Sequence, residues 1–420
     1  MKMNKWTMGL AALGVVSLAS AVQAEEKMNV VQTALSATTL KGYVDTSAQL
    51  TQAAGQGYNA PAYAFNQALG SSQAQGANGF NLDVIGLTLE KPITEGEWAA
   101  GYKVDLWAGP YANNLNTSSA FPTANDFCIK QAYVALKVPV GNGINLKMGV
   151  FDSPLGYESS ASVANPNFTR SYGYTIEPTT FTGLLGTYQI CEVVAVSAGV
   201  ANTYGPAINE RNDNNPGYLA YMGSIAVTAP ESMGFLAGSA LYAGIVQGYN
   251  TQSPANAGTM DSMAAAGGFD QTSCYMGATM NTPIKELKVG IAYDYASVSV
   301  QPLSSQNEGY ANAIAGYLSF QATEKLSLHG RAEYASHGGP DVPGAPTRIM
   351  GLTGTIQYDL WANVLTRLEA RFDRNLNGAN AYGGSAAYSI QDGFGGWIDY
   401  AANPTRQNNA MLALNVIYKF

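Results

Sequence analysis

Charged residues in several stretches of this sequence stand at every second position, and this spacing constrains the fold more than any other feature. In residues 364–374 the charged residues with this spacing are Arg367, Glu369, Arg371 and Asp373. A strand places alternate side chains on opposite faces, whereas a helix would spread the same charges around its circumference. The spacing therefore predicts a β-strand with one polar face and one apolar face.

About sixteen segments with this alternation follow one another along the chain. They lie near residues 39–50, 79–90, 97–107, 127–138, 145–151, 180–190, 194–203, 218–229, 233–246, 271–281, 287–298, 309–322, 326–337, 348–358, 364–375 and 409–420. Two of them, 79–90 and 218–229, fit the pattern less well, and the inward face of 79–90 is ambiguous.

The connections between these segments alternate in length. Short turns, such as 91–96 and 139–144, are followed by long loops, such as 108–126 and 152–179. This alternation is typical of bacterial transmembrane barrels, whose short turns are periplasmic and whose long loops are extracellular. We therefore predict an all-β fold, a transmembrane antiparallel β-barrel of about 16 strands with short periplasmic turns and long extracellular loops.

The composition supports strands that face lipid on one side and water on the other. Only 12% of residues are charged, about half the share in soluble domains. After the first 24 residues, no apolar run approaches the roughly 20 residues of a membrane-spanning helix. Strands in a bilayer must close on themselves to pair every backbone group, and sixteen of them enclose a water-filled lumen. The net charge of −8 argues against a nucleic-acid partner.

The two ends of the chain predict its route to the membrane. Lys2 and Lys5 precede the apolar residues 8–21 and the small-residue site that ends at Ala24, so we expect residues 1–24 to be a cleaved signal peptide. An uncleaved anchor is the alternative. Residues 25–38 would form a short periplasmic segment and 39–420 the barrel. The carboxy-terminal Tyr418 and Phe420 resemble the signal by which the barrel-assembly machinery recognises such chains, although an ordinary strand could also end in Phe.

Several stretches also resemble a known family. They are LKGYVDTS at 40–47, WAAGYKVDL at 98–106, QAYVALKVPVGNG at 131–143, GVFD at 149–152 and NPNFTRSYGY at 165–174. These motifs are similar to those of the OmpL-like β-barrel porins, well over the amino-terminal half and elsewhere through the strand pattern. The resemblance implies an outer-membrane pore, with no catalytic residues and no particular substrate.

The candidate site is the lining of this pore. The loop 152–179, the third long loop, is expected to fold inward and narrow the pore through Asp152, Glu158, Arg170 and Glu177. An outward surface loop is the alternative. The expected pore-lining charges are Lys41, Asp45, Lys103, Asp105, Lys147, Arg331, Glu333, Arg367, Glu369, Arg371 and Asp373. These charges select solutes if they form opposed rings, or they stiffen the wall as a ladder of ion pairs.

We therefore predict a porin for passive diffusion of small hydrophilic solutes and ions, with a mild preference for cations because the chain is acidic. The main rival is a surface-exposed structural or adhesive barrel with an occluded pore. An enzyme is the third reading, and the two histidines, His329 and His337, have no catalytic partners in the sequence. We expect no cofactor and no metal. The expected partners are outer-membrane lipids, the assembly machinery and the solutes, and the sequence leaves a homotrimer open. The sequence does not decide whether two of Cys128, Cys191 and Cys274 form a disulfide.

Overall fold

The computed structural model describes most of the chain that follows the predicted leader. The described residues are 31–32, 38–52, 63–65, 78–115, 117, 126–211, 217–250, 269–300, 309–338, 347–383, 386–391, 397–401 and 405–420. The predicted signal peptide, 1–24, lies outside them. Of the predicted periplasmic segment, Val31–Gln32 pairs with the first long strand, at Thr39 and Leu40.

Sixteen strands of the described residues form one closed antiparallel barrel, which confirms the predicted fold class. Each strand pairs with the next along the chain, and the last pairs with the first, from Met411 opposite Thr51 to Lys419 opposite Tyr43. The strands are β1 Thr39–Thr51, β2 Gly79–Lys91, β3 Ala99–Ala108, β4 Phe127–Val138, β5 Ile144–Asp152, β6 Thr180–Gln189, β7 Val194–Ala201, β8 Ala220–Thr228, β9 Ala240–Asn250, β10 Phe269–Asn281, β11 Leu287–Val300, β12 Gly309–Gln321, β13 Leu326–Gly338, β14 Arg348–Trp361, β15 Val364–Asn375 and β16 Asn408–Lys419.

The strands separate their side chains as the alternation requires. In β15, Arg367, Glu369, Arg371 and Asp373 are buried inside, and the residues between them point outward. Large apolar side chains such as Leu352 and Leu412 are exposed on the outside, where lipid would cover them. Exposed aromatic side chains lie near both ends of the strands, as expected for the two interfaces of a membrane. They include Trp98, Trp361 and Tyr418 at the turn end, and Phe80, Tyr221 and Tyr310 at the loop end.

One strand prediction is wrong in its first part. The sequence pattern favours a strand over 233–246, but β9 begins only at Ala240. The preceding residues form a 3-10 helix, Glu231–Leu236, which follows Pro230 and contains Gly234 at φ 61°. That backbone conformation, which favours glycine, interrupts any extended run at this point.

Two β-bulges change which residues face inward. In β2 the register shifts opposite Asp45 and Thr46, so that Asp83 and Val84 are both buried and the alternation inverts between them. In β4 the register shifts opposite Asp105 and Leu106, and Lys130 and the residue after it are both buried. An extra residue in one strand shifts every later side chain to the other face. The first bulge explains why the inward face of 79–90 is ambiguous in the sequence.

The loops carry little regular structure. Besides the 3-10 helix Glu231–Leu236 between β8 and β9, the described connections contain two more 3-10 helices, Pro110–Asn114 and Ser162–Ala164, one short α-helix, α1 at Tyr172–Ile176, and a separate hairpin of Ala386–Gln391 with Trp397–Ala401. Within the described part of the chain, no helix has the length and apolar character needed to cross a bilayer.

Candidate functional site

The segment between β5 and β6, residues 153–179, makes its hydrogen bonds to inward-facing side chains of the barrel. Glu369 of β15 is fully buried and accepts hydrogen bonds from the backbone N–H groups of Phe168 at 2.6 Å and Thr169 at 2.9 Å. The same carboxylate accepts from the hydroxyls of Thr169 at 2.6 Å and Thr355 at 2.7 Å. One side chain of the wall therefore holds two consecutive peptide groups of the loop.

Arg367, two residues earlier on β15, binds another part of the loop. Its guanidinium donates to the backbone carbonyls of Ser162 at 3.1 Å, Asn165 at 2.9 Å and Asn167 at 3.2 Å. The Ser162 hydroxyl also accepts from it, and Asn415 of β16 accepts at 2.7 Å on the other side. Arginine can do this because its five donors form a fixed planar fork.

A network of buried charges joins β13 and β15 to the loop. Arg331 forms ion pairs with Glu158 of the loop at 2.9 Å and with Glu333 at 3.2 Å. Arg371 forms ion pairs with Glu333 at 3.1 Å and with Asp373 at 3.0 Å. These side chains are almost completely excluded from solvent, so each charge depends on its partners instead of water.

Both arginines of the network also hold loop backbone. Arg331 donates to the carbonyl of Thr169 at 2.6 Å, and Arg371 donates to that of Arg170 at 2.7 Å. In return, the N–H of Tyr172 donates to Glu333 at 2.7 Å. The inward charges predicted on β13 and β15 therefore form one cluster whose members bind the loop.

The side chain of Arg170 packs against groups of the loops. Its guanidinium donates to the carbonyls of Phe168 at 2.7 Å and Ser160, and it lies 4.7 Å from the ring centre of Phe65 and 5.8 Å from that of Tyr111. The side chain is 1% exposed. Arg170 therefore joins the third loop to residues of the first two loops and does not stand free in the lumen.

The wall of β1–β5 carries the other predicted charges. Lys41 and Glu90 form a half-exposed ion pair at 3.0 Å, and Glu90 lies directly opposite Lys103 on the next strand. The Lys147 ammonium lies 5.1 Å from the ring centre of Tyr133. Asp45 is fully buried and accepts from the Asn415 amide at 2.5 Å.

Lys130, like Asp83 at the bulge of β2, is a charged residue of this wall that spacing alone would misplace. Its ammonium lies 2.7 Å from Asp152 and 3.9 Å from Asp105, and it is 3% exposed. Strict alternation from Tyr133 would turn Lys130 toward lipid, where a charged side chain costs several kcal/mol. In the sequence, a charged residue at a position that alternation assigns to the lipid-facing side is therefore the signal that indicates a bulge.

Three carboxyl groups meet where α1 approaches β11. Glu177 hydrogen-bonds Asp294 of β11, and Glu158 lies close enough to add its negative charge. The room for this pair depends on two glycines, because a Cβ at Gly156 would collide with Glu177 and a Cβ at Gly173 with Asp294. Burial, followed by the nearby Asp294, raises the pKa of Glu177 well above its usual range. Protonated Glu177 can donate a hydrogen bond, whereas two bare carboxylates would repel.

We expect the packing of α1 to loosen as the pH rises. Because the pKa of Glu177 is raised in the folded protein, its stabilising contribution is complete below the ordinary pKa of a glutamate and is lost as pH rises through the raised value. Hydrogen-exchange protection factors of residues 171–177 should therefore fall at alkaline pH. In Glu177→Gln, which stays neutral, they should change little. The exposed turn variant Glu231→Gln serves as control and should behave as the parent protein; an equal fall in all three would contradict this role.

Apolar side chains cover the inner wall of β5–β12. Phe151, Phe181, Met222 and Val246 belong to one buried cluster together with Leu155, Tyr157 and Tyr317. The Tyr157 and Tyr317 rings stack with their centres 4.2 Å apart. The third loop is therefore packed against this wall through apolar contacts and against β13–β15 through charged ones.

No grouping of His, Cys, Asp or Glu within the described ranges has the arrangement of a metal site. Cys128, Cys191 and Cys274 are free thiols, so no pair of them forms the disulfide left open by the sequence. Of the two histidines, His329 is buried and contacts the Ser319 hydroxyl at 2.8 Å.

Comparisons with known proteins agree with this architecture. The family described as "Putative beta-barrel porin-2, OmpL-like" matches residues 37–420. The chain belongs to this porin family. It is an outer-membrane β-barrel. No curated protein matches it in sequence.

Three solved structures are similar to this chain in fold, although few of their residues are identical to it. The anion-selective porin of Comamonas acidovorans is 11% identical, with a TM-score of 0.54 over 91% of this chain and 99% of that one. The channel DcaP of Acinetobacter baumannii is 10% identical, with a TM-score of 0.54 over 91% and 97%. OmpT of Vibrio cholerae in its trimer form is 12% identical, with a TM-score of 0.53 over 91% and 99%.

Proposed function

We propose that this porin-family barrel forms a water-filled channel for the passive diffusion of small hydrophilic solutes and ions, and that it is not an enzyme. The observation that carries the proposal is that inward-facing charged side chains are buried on one part of the barrel wall and accessible on another. The loop binds the charges of β13 and β15 and leaves them buried, whereas the side chains of Lys41 on β1 and Glu90 on β2 remain 39% and 29% exposed. Charged side chains that stay accessible inside a barrel require water in the lumen.

The third loop narrows this path. We propose that Glu158, Arg170 and Glu177 act in the constriction by holding the loop in place, since each has buried contacts of its own. Asp152 belongs to the wall beside Lys130. Of the other predicted pore-lining charges, those of β13 and β15 are bound to the loop or to one another, and Asp45 and Asp105 are buried beside side chains of the wall. A solute could reach Lys41, Lys103 and Lys147.

One observation favours the rival function, a structural or adhesive barrel with a closed pore. Phe65, Trp107, Tyr111 and Tyr174 pack into a single buried cluster that joins three loops at the extracellular end. Aromatic packing of this kind fills space without leaving a path for water. The two functions differ in whether an aperture remains beside this cluster.

Single-channel recording separates the two functions. Purified protein refolded from detergent into a planar bilayer should give discrete conductance steps, and liposomes that contain it should swell in isotonic sugar. Heat-denatured protein at the same concentration is the control. Absence of both steps and swelling, from protein that keeps its strand signal in circular dichroism, would favour the closed barrel.

We also propose that residues 1–24 are removed on export, that Tyr418 and Phe420 serve as the assembly signal, and that three copies associate. The trimer is supported by the similar barrel that was solved in its trimer form. Light scattering of the protein in detergent should give the mass of three chains, and a monomer mass would contradict it.

A further inference from the structure

Three lysines and one glutamate form a belt on the inner wall of β1–β5. This lysine belt consists of Lys41, Glu90, Lys103 and Lys147. Lys41 is paired with Glu90, and Glu90 stands directly opposite Lys103 in the β2–β3 register. Lys103 in turn stands opposite Tyr133, whose ring lies beside Lys147. The four charges therefore follow one another around the wall, strand by strand.

The belt lies in the periplasmic half of the barrel. The N–H of Gly42, next to Lys41, donates to the terminal carbonyl of Phe420 at 2.8 Å, and the short turns meet at this same end. The loop network of Arg331 and Arg371 binds the third long loop and lies toward the opposite end. The belt therefore lines the lumen beyond the third loop.

The lysines of the belt differ from the other cations of the lumen in what they can bind. The side chains of Arg331 and Arg371 have no exposed surface and already hold carboxylates and loop carbonyls. Lys130 is similarly enclosed by Asp152. In the belt, Lys41 is 39% exposed and Lys103 and Lys147 are half-buried. Within the belt three lysines face a single carboxylate, and Asp152, the neighbouring carboxylate that attracts Lys147, is shared with Lys130.

The inward carboxylates nearest the belt, Asp105 and Asp152, form ion pairs with Lys130, and these three residues and the belt together keep a net charge of +1. The exposed turns at the same end carry Glu95, Glu97 and Glu192, but bulk electrolyte screens such charges beyond about 8 Å. Field lines inside a channel with low-dielectric walls are focused, so the charges within the lumen have the larger effect on an ion in transit. The acidic net charge of the whole chain therefore does not decide the preference of the pore.

We propose that the lysine belt is an anion-binding site of the channel, and that it takes small solutes with a carboxylate or phosphate group. Lysine ammonium groups bind oxyanions as flexible point charges, and these three, on the alternate strands β1, β3 and β5, line a stretch of wall along which such a solute can be held. The Tyr133 ring beside Lys147 provides an apolar surface for the rest of the solute. This inference rests on the proposed channel function and specifies its solute class. It reverses the cation preference predicted from net charge.

The test compares ion selectivity before and after the belt is neutralised. In a potassium chloride gradient, the parent protein should pass chloride over potassium by a factor of about 3 or more, because charged rings lining a pore concentrate the opposite ion. The triple variant Lys41→Gln, Lys103→Gln, Lys147→Gln should lose that preference. Lys285→Gln and Lys325→Gln, which change exposed turn lysines, should leave it intact. Heat-modifiable migration on gels verifies that each variant is folded.

A second measurement does not depend on conduction. Isothermal titration of the detergent-solubilised protein with sodium tripolyphosphate should show binding that the triple variant weakens by about tenfold or more, as expected when several charge-assisted contacts are lost. Channel steps without anion preference, or with a preference that the triple variant retains, would overturn the anion site but not the proposed channel function. Tripolyphosphate binding that depends on the belt, in a protein without channel steps, would support the site and overturn the channel. Equal binding by both proteins would overturn the site.

Discussion

Arg331→Met should lower the free energy of unfolding by about 3–5 kcal/mol, the usual cost of removing one partner from a buried ion pair. Methionine preserves most of the volume, but Glu158 then loses the only ion pair that the described residues give it. Glu333 keeps Arg371 as a partner. The loss should therefore come mainly from a loop carboxylate that keeps the N–H of Ser171 as donor but has lost its cation, and from the loop carbonyls that Arg331 holds.

This prediction is checked by urea unfolding of the refolded protein in lipid vesicles, followed by tryptophan fluorescence. Arg348→Met, at the exposed start of β14, is the matched control and should cost well under 1 kcal/mol. Adding Glu158→Gln to Arg331→Met should recover part of the loss, because it removes the unpaired charge. A cost for Arg331→Met no greater than that of the control would show that the network does not stabilise the fold.

Glu369→Ala should release the third loop from the wall. The substitution leaves the N–H groups of Phe168 and Thr169 and two hydroxyls without their buried acceptor. Each such group costs about 1–3 kcal/mol when nothing replaces its partner. The barrel strands would remain paired, so the expected outcome is a folded barrel with a loosened loop and a larger single-channel conductance.

Trypsin reports this release directly, because Arg170 is the only basic residue of 153–179 and is buried in the parent protein. Cleavage after Arg170 should be slow in the parent protein and at least about tenfold faster in Glu369→Ala, since an opening free energy lower by 1.4 kcal/mol or more raises the open population tenfold. Glu324→Ala, in an exposed turn, should be cleaved as slowly as the parent protein. Unchanged cleavage and conductance in Glu369→Ala would contradict the anchoring role.

The strand pattern of the sequence determines this fold to an unusual degree. In a membrane-spanning barrel each strand meets lipid on one face and the lumen on the other, so a charged residue at every second position marks both the strand and its inward face. All sixteen predicted segments correspond to strands of the confirmed barrel. The predicted start of a strand at position 233 is wrong because Pro230 and Gly234 are turn residues inside an apolar stretch. Apolar content alone does not distinguish a wide turn from the end of a strand.

Alternation also placed Arg331, Glu333, Arg367, Glu369, Arg371 and Asp373 on inward faces, where the structure has them. Strict alternation would turn Asp83 and Lys130 outward, because a bulge adds one residue to a strand without changing its composition. Bulges depend on the pairing of two strands, and this pairing is a non-local property.

The groups that the inward charges bind could be identified only from the closed barrel. Glu369 is about 200 positions from Thr169, and closure of the lumen brings the two into hydrogen-bond contact. Sequence shows that Glu369 and Arg331 face inward because lipid excludes charge from the other face. It does not show that they bind loop backbone while Lys41 and Lys103 stay accessible, because that difference depends on the wall against which the third loop packs.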